Sequence, residues 1–252
     1  MELVYARLKK RARQVVSRFP PPDFYQDHLP ANRLSRQYLE TNNVVKELRT
    51  FVAEHIDEDF GHGIEHSKKV AIDAGALMII ENKNAGYSEG YTNRRIIIVQ
   101  CAGLLHDIKR KQQNHAVEGA TFARKALMIY SLYPDEIEDI CMAIRNHEAF
   151  KSVVKAKTTE GALVSDCLYD ADKFRWGPDN FTDTVWAMVK YSRMPFAKFM
   201  SLYPKGMERL AKIKTTFRTD TGKKYGPQLI DMGLAIGKEL LNVINTEFAH
   251  LQ

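Results

Sequence analysis

The sequence predicts an all-α protein, and three observations carry that expectation. Long segments repeat apolar residues every three or four positions, the period of a buried helix face. Few segments alternate with period two, as a half-buried strand does. Helix ends are also signposted: Pro134 followed by Asp135, Glu136 and Glu138 puts proline at the first helical position and acids where the dipole favours them.

Taken in order, residues 1–19 read as a basic amphipathic helix with Leu3, Leu8, Ala12, Val15 and Phe19 at helical spacing. Such a helix is expected to pack on the main domain or on a second subunit, with a membrane surface as the alternative. Pro20, Pro21 and Pro22 stop it. Residues 20–35 read as irregular, and a helix over 36–55 leads into the main domain. Further helices are expected at 61–81, 94–108, 115–131, 134–147, 160–174, 181–191, 196–217 and 226–250. Loops are expected at 82–93, 151–159 and 177–180, where glycine, proline and polar residues gather. There is no internal repeat, and Gly61-His62-Gly63 matches neither a P-loop nor a dinucleotide fingerprint. The organisation expected is a helical extension over 1–49 and one domain over 50–252.

The bulk composition is that of an ordinary globular chain, with 252 residues of which 44% are hydrophobic and 27% charged. A chain of this length buries a sizeable core without a structural metal or disulfides. Any metal therefore points to function. No stretch approaches the roughly 20 apolar residues of a membrane span, and the N-terminus lacks a signal-peptide pattern, so a cytoplasmic location is expected. Cys101, Cys141 and Cys167 have no CxxC spacing and sit in apolar helical contexts, as buried reduced thiols do. The net charge of +6 is spread along the chain without a nucleic-acid-binding motif. It supports an anionic small-molecule substrate more than a nucleic acid.

Five histidines and two aspartates stand inside apolar helices, where an unpaired polar group costs free energy. His66 opens an apolar helix face that continues through Val70, Ala74, Leu77 and Met78, with His62 one turn earlier. His106-Asp107 ends the apolar run of Ile96, Ile97, Ile98, Val99, Ala102, Leu104 and Leu105. His115 opens a helix of small residues, His147 lies near the end of the helix begun at Pro134, and Asp172 shares a helix with Val164, Leu168 and Ala171. A lone histidine on an apolar face is more often a hydrogen-bonded core residue than a ligand. The joint order of His, His-Asp and a late Asp, with further histidines between, points instead to a metal. Imidazole with carboxylate suits Mn, Co, Ni, Zn or Fe. Such metals neutralise phosphate oxygens and acidify water.

At these residues the sequence resembles the HD-domain superfamily of metal-dependent phosphohydrolases, in its bacterial single-domain branch. The likeness covers roughly residues 50–250. It rests on His62-x-x-x-His66, Leu104-Leu105-His106-Asp107-Ile108, His115-Ala-x-x-Gly119-Ala120, His147-Glu148 and Asp170-Ala171-Asp172-Lys173-Phe174. The resemblance implies a helical bundle with a central metal site held by His66, His106, Asp107 and Asp172. It also implies that His115 and His147 are candidates for a second ion, with Asp107 bridging, and it leaves Mg open beside the transition metals. The branch usually has an acid directly after the first His, where this chain has Gly63. A Gly-Tyr-Pro signature and the further motifs of the large alarmone hydrolases are absent.

The function expected is hydrolysis of a phosphoester or phosphoanhydride in a nucleotide-like small molecule. Asp107 and Lys109 are the candidate catalytic groups. Lys109, Arg110, Lys173 and Arg175 are candidates to meet substrate phosphates, although a solvated basic face is the ordinary reading of each. His62 and Glu65 are expected to support the ligands from behind, and Glu65, Glu118 or Glu148 to assist proton transfer. A di-iron oxygenase and a non-catalytic metal- and nucleotide-binding module are the alternatives. A homodimer built through the N-terminal helix is a further expectation.

Overall fold

The computed structural model describes residues 2–56 and 63–248, with backbone alone for 2–3. Twelve α-helices and no strands occur among the described residues. Two of the helices form the centre: α5 (Ile64–Asn84) and α6 (Glu89–Leu105) pack against each other and are buried on nearly every face. Such all-round apolarity marks a core helix. Gly103 permits their close approach, since a Cβ there would stand 2.7 Å from the Ala71 Cα.

Around this pair lie α7 (His115–Ala126), α8 (Pro134–Arg145) and α9 (Thr159–Phe174), with α8 packed on α6, α7 and α9. The remaining helices are α10 (Val185–Tyr191), α11 (Phe196–Ile213) and α12 (Asp220–Glu247). A π-helical turn, Asn180–Thr184, leads into α10. The amphipathic reading of the N-terminus holds: α1 (Glu2–Val16) buries Tyr5, Leu8, Ala12 and Val15 and packs against α12, α10 and the π turn of its own chain. The Leu3 side chain lies outside the described residues.

Residues 20–35 are not irregular. They hold α2 (Asp23–Asp27) and the start of α3 (Leu29–Thr41), while α4 (Asn43–His55) follows as a separate helix. Pro30 falls in the first turn of α3, where its missing N–H breaks no bond. The expected helix over 36–55 is split at Asn42, whose side chain accepts from the Val45 N–H and starts α4. The loop at 82–93 shrinks likewise, because α5 runs on to Asn84 and Ser88 caps α6 through the Tyr91 N–H. Helix α12 begins six residues before the expected position. Thr219 caps it through the Gly222 N–H, and the helix carries Pro227 within it. Elsewhere the observed helices fall within a few residues of the expected spans, with the segment after α7 ending in a 3-10 turn at Leu127–Ile129. No helix is long and apolar enough to cross a membrane among the described residues.

Candidate metal centre

The six expected ligands converge because helix ends converge. His66 lies in the first turn of α5 and His115 is the first residue of α7. His106 and Asp107 follow the last turn of α6, His147 follows α8, and Asp172 lies in the last turn of α9. The C-termini of α6, α8 and α9 bring partial negative charge to one place, set against the partial positive charge of the α5 and α7 N-termini. All six side chains are buried.

Asp107 sits between two histidine pairs. Its Oδ2 is 3.3 Å from His106 Nε2 and 3.9 Å from His66 Nε2. Its Oδ1 is 3.4 Å from His147 Nε2 and 3.6 Å from His115 Nε2. Within each pair the two Nε2 atoms are 3.3 Å apart. Asp172 closes the first group, with Oδ1 3.4 Å from His66 Nε2 and 3.8 Å from His106 Nε2.

The tautomers of two imidazoles are fixed by the backbone. His106 Nδ1 lies 2.8 Å from the Gly103 carbonyl oxygen and His147 Nδ1 lies 2.6 Å from that of Ile144. A carbonyl oxygen only accepts, so each Nδ1 carries the hydrogen and, in the neutral ring, each Nε2 lone pair faces the cluster. Nitrogen lone pairs facing one another beside carboxylates are a poor internal arrangement and a good one for a cation. The donor set therefore fits a divalent transition metal at His66, His106, Asp107 and Asp172. Asp107, His115 and His147 form a second group of similar compactness.

Charge around the cluster is finely divided. Asp172 is held well below the usual carboxylate range; burial opposes this, but the Lys173 ammonium and the His66 and His106 rings outweigh it. Burial would lower His106, yet Asp107 and Asp172 outweigh burial and raise it. His115 goes the other way, to about 4, through burial and then the neighbouring His147, with Arg110 adding to the effect.

The four expected cations separate. Arg110 reaches the cluster: its Nη1 is 2.8 Å from His115 Nε2 and 3.7 Å from Asp107 Oδ1. Lys173 is enclosed rather than open to a substrate; it donates to the His147 carbonyl at 2.9 Å and to Asp172. Lys109 lies over the Phe122 ring at 4.2 Å. Its expected catalytic part finds no contact with the cluster among the described residues. Arg175 is tied to Asp73, Asp179 and the Tyr25 hydroxyl. Of the acids, Glu65 is exposed and paired with Lys68 at 2.9 Å, so it does not stand behind a ligand. Glu118 is exposed, whereas Glu148 Oε1 is 3.9 Å from His115 Nδ1. His62 lies outside the described residues.

Of the cluster, His66 lines a cavity. This cavity, of about 210 Å³, is lined also by Gly63, Glu65, Lys69, Asp179 and, from α1, Lys9. Asp73 was missed by the sequence reading, although a carboxylate between Ile72 and Ala74 in an apolar helix is the same signal that singled out Asp172. Asp73 is buried and accepts from the Tyr25 hydroxyl at 2.8 Å and from Arg175.

This arrangement has a counterpart among known families. The HD domain model matches residues 63–176, from the N-cap of α5 to just past the end of α9. The matched segment, a little under half of the chain, is similar to the HD domain. HD domains are all-helical, and as a superfamily they are metal-dependent phosphohydrolases. All six candidate ligands lie inside the matched HD segment, while α1–α4 and α10–α12 lie outside it. No curated protein and no solved structure is significantly similar to the chain.

Proposed function

We propose that this HD-like domain hydrolyses a phosphoester or phosphoanhydride of a small, nucleotide-like molecule. The observation that carries the reading is the placement of Asp107, whose two oxygens each face a pair of imidazoles inside a buried cluster. His66, His106, Asp107 and Asp172 would hold the metal in this reading, and Asp107, His115 and His147 would hold a second. A bound divalent metal supplies charge neutralisation at the phosphate oxygens and acidifies water beside them.

The chain's own groups set the geometry. The Gly103 and Ile144 carbonyls hold His106 and His147 in one tautomer and one orientation. Lys173 fixes the Asp172 carboxylate and keeps it ionised. Arg110 places a guanidinium beside Asp107, where it meets a phosphate oxygen and stabilises charge that grows in the transition state. Glu148, beside His115, is the acid best placed to pass a proton. The cavity at His66 admits the substrate.

Phosphate release is to be measured from a panel of nucleotides and generic phosphoesters with Mn, Co, Ni, Zn, Mg or Fe, comparing the wild type with Asp107→Ala. Release that requires metal and falls by about a thousandfold or more in the variant is the expected outcome, on the scale of losing a central electrostatic group. Folded, metal-loaded protein that releases no phosphate from any member overturns the hydrolase reading. Two irons per chain with oxygen-dependent turnover then favours an oxygenase, and nucleotide-stabilised folding without turnover favours a binding module.

A further inference from the structure

A second, larger cavity of about 520 Å³ adjoins the one at His66 and shares Glu65, Lys69 and Asp179 with it. One wall is α3, outside the segment matched by the HD model, and the other is α5. Its cations differ in their commitments. Lys68 is paired with Glu65, Lys69 with Asp179, and Arg175 with Asp73 and Asp179. Arg33 and Arg36 line the same cavity from α3, are exposed, and form no ion pair among the described residues.

The wall that carries them is fixed rather than loose. Ser35, between the two arginines, is buried and donates to the Ile72 carbonyl of α5 at 2.7 Å. Gln100 of α6 donates to the Ser35 carbonyl at 2.7 Å. Gly75 of α5 leaves room for this contact, because a Cβ there would stand 2.2 Å from the Ser35 Oγ. At the far side, the Tyr25 hydroxyl of α2 is held by Asp73 and Arg175. The volume lies within the range of small-molecule sites, with room for more than one phosphoryl group.

We infer that this cavity binds a second phosphoryl group of the substrate through Arg33 and Arg36, so that the molecule acted on is polyphosphorylated. The inference rests on the phosphohydrolase reading for the group cleaved at the His/Asp cluster. It makes the segment before the HD match a determinant of specificity: α3 supplies two arginines that form no salt bridge among the described residues, although Arg36 also feels Glu40 and Asp73, and guanidinium groups suit phosphate through paired N–H donors.

The test is binding of a fluorescent N-methylanthraniloyl nucleoside diphosphate to the metal-loaded protein, read by anisotropy. It compares the wild type with the double variant Arg33→Gln/Arg36→Gln and with Lys198→Gln/Arg209→Gln, which removes the same charge from exposed positions on α11 outside the cavity. The expected result is binding weakened about tenfold or more in the α3 variant and unchanged in the α11 variant, the loss of charge-assisted contacts rather than of net charge. Equal affinity in wild type and α3 variant, or an equal loss in the α11 variant, overturns the inference. Phosphate release by the wild type from p-nitrophenyl phosphate, which carries one phosphoryl group, is followed in parallel. Turnover with unaltered diphosphate binding in the α3 variant keeps the hydrolase and removes the second site. Binding lost in the α3 variant, with no turnover of any phosphoester by the wild type, keeps the anion site but overturns both the hydrolase reading and the inference that the anion belongs to a hydrolysed substrate.

Discussion

Asp170 and Asp172 stand two residues apart on α9 and do different work. Asp172 turns its carboxylate to His66 and His106. Asp170 is fully buried on another face and accepts from the Arg218 N–H at 2.9 Å and from the Thr219 N–H and hydroxyl, each at 2.8 Å. It thereby fastens the start of α12, whose cap is Thr219. Burial pushes Asp170 up to about 6 even though these donors pull it down. Replacing Asp170 with Ala strands three donors and is expected to cost about 3 kcal/mol, at the upper end for buried unsatisfied groups. Urea unfolding of the metal-free protein measures this. Metal content per folded molecule is expected to stay at the wild-type level, and its loss would show that Asp170 reaches the cluster after all.

Helix contacts set the spacing of the ligands. His66 lies on α5 and His106 directly follows α6, and those helices approach closely at Gly103 and Ala71. The Gly103 carbonyl also receives the His106 Nδ1–H. Gly103→Ala puts a methyl group into the Ala71 backbone, and overpacking of this kind costs about 1–3 kcal/mol. The expected outcome is a less stable protein whose metal affinity also falls, because the two histidines are carried on the helices that must separate. Competition with a chromogenic chelator reads the affinity. A variant that is destabilised but binds metal as tightly as the wild type would uncouple the helix contact from the site.

Across the whole molecule, the core is closed around its sulfur. Cys101, Cys141 and Cys167 are free and buried, and burial raises all three thiols, Cys101 to about 12 and Cys141 to about 11. A thiol reacts as thiolate and needs access. The native protein is therefore expected to react slowly with an aromatic disulfide reagent, and the denatured protein to titrate three thiols at once. Rapid native labelling of any cysteine would mean that the core opens locally at that helix. Reductant is expected to leave the melting temperature unchanged.

Much of the fold and of the site was legible in the sequence, for a physical reason. Helix periodicity is local, so α5 to α9 announce themselves, and a histidine or aspartate stranded in an apolar face is visible as a cost that something must offset. That signal found His66, His106, Asp107, His115, His147 and Asp172. The family pattern then gave their order a meaning. The break at Asn42 was blurred because local propensity runs on across it, and the helices capped by Ser88 and Thr219 start earlier than the apolar period suggested. Tertiary structure alone decided the partners of the cations. Nothing local distinguishes Arg110, against Asp107, from Lys109, over Phe122, or from Lys173, enclosed beneath Asp172. Those outcomes follow from which helices pack together, as does the meeting of α3 with α5 that gives the chain its second cavity. Sequence fixes the chemistry each residue carries, and packing fixes which charge it faces.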